Sequence, residues 1–459
     1  MQNYTKLIIA GACLATSTLS CATTLDQALQ DAFAHDKTFK QNMYKKDAAK
    51  QLLPLAAAAY LPQLKLEATG AKRKAETYLG VKASTKPKSY DATVSQTIFS
   101  LGSLLSIRKA SQSVSAAQYN FDAQKQTLIS NTCNAYFTVI NDYKTVEATL
   151  ANETSLQQAY KIAEQKHDVG LIAATPMLQA KAELSQTQAQ VIAATAQLKV
   201  DVENLHAITG KAITTYNSVN KDFKAKQPAN NLANLIQQAK TNNHLLQFQR
   251  QTTQAAKTNV SLQSANWLPT IAAVAKIGKS NTNNVLNNPS KFDSSDSIAV
   301  NISVTPFTGG ANFANYQQAN YQYLAANAAQ DAAEINTENQ TRQAYLNIQA
   351  LAKKITADRE SIIATEASLT ATQEAFKVGG QDYLPVLNAI TAVSNAQKTL
   401  QNDIYSYLSS DVALKQADGS LNEKDIKYIS SELNKEFKLC DKTNKKLNLC
   451  PQEAMQTAN

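Results

Sequence analysis

The sequence predicts a mainly α-helical, internally duplicated chain whose β hairpins are contributions to a membrane β-barrel. Three observations carry that prediction. A set of turn residues recurs at a constant offset, two very long stretches lack both Gly and Pro, and stretches ahead of them alternate apolar and polar residues.

The duplication is read from matched landmarks. "VGLIAATPMLQA" at Val169 and "VGGQDYLPVLNA" at Val378 share a Val-Gly start and a Pro-x-Leu-x-Ala ending, 209 residues apart. Leu61-Pro62 recurs as Leu268-Pro269, offset by 207, and Phe99 and Gly102 recur as Phe307 and Gly310, offset by 208. Tyr136, Pro176 and Gly210 reappear at an offset of 209 as Tyr345, Pro385 and Gly419. A period this long, repeated in order, makes the mature chain two copies of one plan.

The elements follow in chain order. Residues 1–22 read as an export signal: Lys6 precedes the short apolar run "LIIAGACLATSTL", and Ser20 and Ala22 suit cleavage after Ala22. A second reading makes Cys21 a lipidated first residue, although Thr18 fits that signal poorly. Residues 23–210 form the first repeat: a helix over about 25–58, a β hairpin over 63–99, a long helix over 103–169 and a return helix over 176–209. Residues 211–231 link to the second repeat, 232–419, with a helix to about 266, a hairpin over 270–307, a long helix over 311–378 and a return helix over 385–418. A tail, 420–459, has no counterpart in the repeat.

Lengths come from Gly and Pro, the residues that interrupt helices. Neither occurs in the 67 residues between Gly102 and Gly170, nor in the 68 between Gly310 and Gly379. At about 1.5 Å per residue each run makes a helix roughly 100 Å long, too long for a compact bundle. Each return helix is about half that, and the leading helices supply the other half. Leu184, Val191, Leu198 and Leu205, and again Val393, Leu400, Tyr407 and Leu414, recur every seven residues, which suits side-by-side helix packing.

The hairpins follow period two. Leu64, Leu66 and Ala68 alternate with Lys65, Glu67 and Thr69, and Val300, Ile302 and Val304, continuing from Ile298, alternate with Asn301, Ser303 and Thr305. Four such strands cannot close a barrel, and a bilayer tolerates no open strand edge. Several copies must therefore contribute, and three would supply about twelve strands around a polar lumen. Gly102, Pro306, Gly309 and Gly310 stand where strands hand over to long helices and are expected as barrel–tunnel joints.

Other functions find little support. The +9 charge is dispersed over isolated Lys residues, with no basic stripe or nucleic-acid motif. The four His residues have no metal-ligand spacing, so no metal is expected. No phosphate-cradling loop or nucleophile elbow occurs, so neither an enzyme nor a cofactor is expected. A non-conducting coiled-coil stalk or adhesin is the alternative, but it leaves the duplicated hairpins unexplained. Cys440 and Cys450, ten residues apart in the tail, are expected to pair in an oxidising compartment. The first hairpin tip is basic (Lys72, Arg73, Lys74, Lys82, Lys86, Lys88), a solvated loop or a contact for lipopolysaccharide phosphates.

In "LPQLKL", "SQTIFSLGS", "NAYFTVI", "VGLIAATPMLQAKAEL", "LHAITG", "WLPTIAAV", "PFTGGANFANYQQANYQY" and "VGGQDYLPVLNAITAVSNAQKTL" the chain resembles the TolC-like outer membrane efflux proteins. The resemblance implies a homotrimer with a 12-stranded outer-membrane barrel, four strands per chain, continuous with a long periplasmic α-helical tunnel. It implies a periplasmic adaptor protein and an inner-membrane pump or ABC exporter as partners, with outer membrane lipid around the barrel. It also implies a passive duct. The Val-Gly turns become the periplasmic hairpin tips, so adaptor contact is carried to Val169, Gly170, Leu171, Val378, Gly379 and Gly380. Some family members close the entrance with acidic residues after the second Val-Gly. The matching positions here are Pro385 and Asn388, with Pro176, Phe376 and Gln381 nearby and Asp382 the nearest acid. A neutral gate, closed by packing and polar contacts, is expected instead.

Overall fold

The computed structural model describes residues 24–76, 82–220, 222–281, 292–378 and 382–439. The export signal with Cys21, the hairpin-tip residues Gly379, Gly380 and Gln381, and the proposed Cys440–Cys450 pair lie outside the described residues.

The first repeat opens with three helices, α1 (Leu25–His35), α2 (Lys37–Lys50) and α3 (Leu52–Ala58). Strand β1 (Gln63–Gly70) follows, then β2 (Arg73–Glu76), β3 (Lys82–Thr85) and β4 (Lys88–Phe99). The long helix α4 spans Leu101–Asp168 and the return helix α5 spans Ala174–Thr209. A short strand, β5 (Thr215–Ser218), leads to the second repeat: α6 (Leu232–Asn242), α7 (His244–Ser264), β6 (Thr270–Ser280), β7 (Asp293–Ser303), α8 (Ala311–Lys377) and α9 (Leu384–Ala417). The tail adds α10 (Glu423–Glu432) and β8 (Lys435–Lys438).

Each leading stretch was read as one helix, and the structure breaks it. Asp36 and Asn243 leave helical geometry, with ψ of 122° and 119°. Their side chains accept the Phe39 and Leu246 amides and so cap the next helix, a role that suits Asp and Asn better than a helix interior does. The breaks are duplicated, 207 residues apart. They make room for the ends of the return helices. Gly210 (φ 68°) lies against the His35 ring and Gly419 (φ 79°) against the backbone of Asn242 and Asn243, where a β-carbon would collide.

Four strands form one antiparallel sheet in the order β1-β4-β6-β7, leaving β1 and β7 as its edges. The helices form a wall: α4 packs against α5, α7 and α9, and α8 packs against α7 and α9. The heptad residues Val191, Leu198, Leu205, Tyr407 and Leu414 are buried. A large apolar cluster sits mid-wall, where Tyr136, Phe137 and Ile140 meet Leu205, Tyr216, Ile348 and Tyr405. There β8 pairs with β5, so the tail and the linker close one belt across the helices. Among the described residues, no helix is long and apolar enough to cross a membrane.

Candidate channel entrance

The far end of the wall is built from two helix–turn–helix hairpins. In the first, α4 ends at Asp168 and the chain turns through Gly170, whose φ of 75° is open to Gly without strain. The Gly170 amide donates to the His167 carbonyl, 2.8 Å, and the Leu171 amide to the Lys166 carbonyl, 2.8 Å, so the turn uses the helix's last free acceptors. In the second hairpin α8 ends at Lys377 and α9 begins at Leu384. The apolar tip residues stand in the open: Val169, Leu171 and Val378 are 69%, 72% and 83% exposed.

Behind the tips lies a second, smaller core. Leu156, Ala159 and Ala163 of α4 and Ala180 of α5 meet Tyr383, Val386, Leu387 and Ile390 at the start of α9. The buried face of α9 thus lies on the first repeat's long helix. Two polar links reinforce that seam. The Tyr383 hydroxyl donates to the Ala159 carbonyl, and burial pushes its pKa up to about 12, so it stays a donor at physiological pH. The Lys166 ammonium stands 4.1 Å from the centre of the Phe376 ring, which in turn packs 4.7 Å from the Tyr383 ring.

Of the gate and tip residues expected from the sequence, Phe376 packs against this core. Pro385, half-buried, occupies the second position of α9, where a missing amide proton costs nothing, and half-buried Pro176 occupies the third position of α5. Asp382 and Asn388 are exposed. Tyr383, Lys166 and Ala159 were missed. Tyr383 had a signal, an aromatic just ahead of a helix-starting Pro, but its partner lies 224 residues away.

At the opposite end the joints are asymmetric. Gly309 and Gly310 take φ of 65° and 88°, and exposed Pro306 precedes them. Gly102 has no such conformation: it sits inside the first turn of α4. There the joint is made by Tyr60, whose hydroxyl donates to the Ser100 carbonyl at 2.7 Å and accepts the Ser100 amide at 3.2 Å. Ser100 then caps α4 by accepting the Ser103 amide.

A duplicated wall of long helices rising into a four-stranded sheet with one apolar face defines an outer membrane channel-tunnel protein. The outer membrane efflux protein family matches residues 28–211 and 235–420, one match per repeat, and the chain belongs to that family. It is similar to the outer membrane protein TolC of Escherichia coli, 27% identical over 472 residues, covering 100% of this chain and 94% of that one. Similarity to the alkaline protease secretion protein AprF of Pseudomonas aeruginosa is 24% over 415 residues, covering 87% and 85%. Among solved structures, the CmeC outer membrane channel of Campylobacter jejuni superposes with a TM-score of 0.74 at 18% identity, over 89% of this chain and 90% of that chain. VceC of Vibrio cholerae gives 0.74 at 18% identity, over 86% and 96%. The chain is thus an outer membrane exit duct for efflux or secretion, with its helices in the periplasm.

Proposed function

We propose that three copies of the chain close into one tube, which serves as the passive exit duct of a tripartite efflux pump or a type I secretion system. The open edges of the sheet carry this reading. With the outer edges of β1 and β7 open and the Leu64, Leu66, Ile298, Val300 and Ile302 face exposed, the sheet cannot sit in lipid alone. Pairing β7 of one copy with β1 of the next removes every edge, and three copies give about twelve strands. The helical wall has matching unfinished sides, with Leu178, Ile192 and Val200 of α5 and Ile335, Leu346 and Ile363 of α8 exposed. A coiled-coil stalk or adhesin would have no use for such a sheet.

A periplasmic adaptor protein meets the hairpin tips at Val169, Gly170, Leu171, Val378, Gly379 and Gly380. An inner-membrane pump or ABC exporter supplies the energy. The entrance is closed by the Tyr383–Ala159 and Phe376–Lys166 seam and by neutral contacts around Pro176, Gln381, Pro385 and Asn388, with Asp382 the acid nearest to those positions. Without a ring of carboxylates there, divalent cations block weakly.

Purified protein should run as a trimer and conduct ions in planar bilayers. A lone, water-soluble particle that never enters lipid would end this reading. Deleting the gene and measuring drug susceptibility together with the secreted proteome separates drug export from protein secretion.

A further inference from the structure

Cross-strand partners in a sheet share a face, so the register sorts every strand residue of the barrel into rows. On one face Leu64 lies beside Val94, Val94 beside Ala275 and Ala275 beside Ile298, an apolar row that faces lipid in the assembled barrel. The opposite face is the lumen. One of its rows runs Glu67, Asp91, Gly278, Ser295; the row below runs Lys65, Thr93, Lys276, Ser297. The row above runs Thr69, Ser89, Ser280, Asp293. Strand β1 rises from the helical wall toward its hairpin tip, so the acids lie outward and the lysines inward. Below the lysines the lumen rows (Gln63, Ser95, Val274, Ala299, then Thr97, Ala272, Asn301) carry no charge.

Glu67 directly opposite Asp91 places like charges together, an arrangement that costs stability unless compensated. Compensation comes from the row below. The Lys65 ammonium is 2.7 Å from the Glu67 carboxylate, and the Lys276 ammonium is 3.0 Å from that of Asp91. Gly278 leaves the space that the Asp91 carboxylate occupies, because a β-carbon there would strike it.

We propose that Glu67, Asp91 and Asp293 above Lys65 and Lys276 form an axial charge step in the barrel lumen, and that this step sets the charge selectivity of the duct. The proposal rests on the trimeric barrel reading. Each copy sets three carboxylates over two ammonium groups, so closure turns the rows into stacked rings. An outgoing anion is held at the lysine ring and repelled at the acidic one, and an outgoing cation meets the reverse order. The rings line a wide tube, so their reach is set by screening, about 10 Å at 0.1 M salt and about 3 Å at 1 M. Selectivity then arises near the outer mouth, where no gating residue lies.

The test uses purified full-length protein in planar bilayers, with reversal potentials read in a KCl gradient. Near 0.1 M, Lys65→Gln with Lys276→Gln raises the potassium-to-chloride permeability ratio by about twofold or more, and Glu67→Gln with Asp91→Asn lowers it by a similar factor. Both effects fade at 1 M. Lys65→Gln alone, at a side chain 71% exposed, gives a smaller shift in the same direction and perturbs the fold least. Variants that conduct like wild type with unmoved reversal potentials overturn the charge step and leave the barrel standing. A wild type that forms no channels removes both.

Discussion

The Tyr383 hydroxyl donates a hydrogen bond to the Ala159 carbonyl, joining the foot of the second return helix to the first repeat's long helix. Removing it with Tyr383→Phe keeps the ring in its apolar cluster and costs about 1 kcal/mol. Phe376→Ala removes more, the ring packing and the Lys166 contact together. Both substitutions should raise single-channel conductance, Phe376→Ala the more strongly. Intact trimers with unchanged conductance would show that this seam does not hold the entrance shut.

Asn388 is exposed near the start of α9. Asn388→Asp would bring three carboxylates to the entrance of a trimer. Periplasmic-side divalent cations should then block at concentrations at least tenfold lower than in wild type, recorded as single-channel current against cation concentration. Equal sensitivity would place Asn388 away from the narrow point.

Gly419 and Gly309 both have positive φ, but their surroundings differ. Gly419 is packed against the Asn242 carbonyl, whereas nothing lies within 4 Å of a β-carbon at Gly309. Gly309→Ala should cost about 1 kcal/mol, the backbone penalty alone. Gly419→Ala should cost clearly more, since the helix end must also back away from the α6–α7 break. Thermal unfolding of the two variants compares them, and equal losses would contradict the close packing.

Asp142 on α4 has a carboxyl pushed up to about 7, first by burial and then by the Asp201 carboxyl of α5. A carboxyl whose pKa is raised on folding binds more protons in the native than in the unfolded state, so stability falls as pH rises from about 4 to about 7. Asp358 on α8, raised to about 6 by burial and then by Asp403, acts in the same direction. Asp142→Asn should raise the unfolding temperature at pH 7, change it little at pH 4, and flatten the profile between them. A steeper profile would mean that neighbouring donors or cations stabilise the Asp142 carboxylate and outweigh its burial.

Much of the architecture was legible because it is local. Strand alternation at Leu64, Leu66 and Ala68 needs only neighbouring residues. The long helices were bounded by Gly102, Gly170, Gly310 and Gly379, within a residue or two of where α4 and α8 run. The missed breaks at Asp36 and Asn243 were also local: each is a capping residue, hidden within a stretch whose overall length suited one helix.

The site was far less legible. Tyr383 meets Ala159, Tyr60 meets Ser100, and Lys166 meets Phe376 across separations no periodicity reports. The amino-acid sequence by itself determined the duplication, the helix lengths and the face each strand turns to lipid, since backbone sterics and residue periodicity act over a few positions. Only the tertiary structure decided that β8 completes a belt with β5, that α9 seals against α4, and that Lys65 and Lys276 share a row beneath Glu67 and Asp91. Those pairings depend on how distant surfaces meet and on strand register, where a slip of one residue would exchange lumen for lipid.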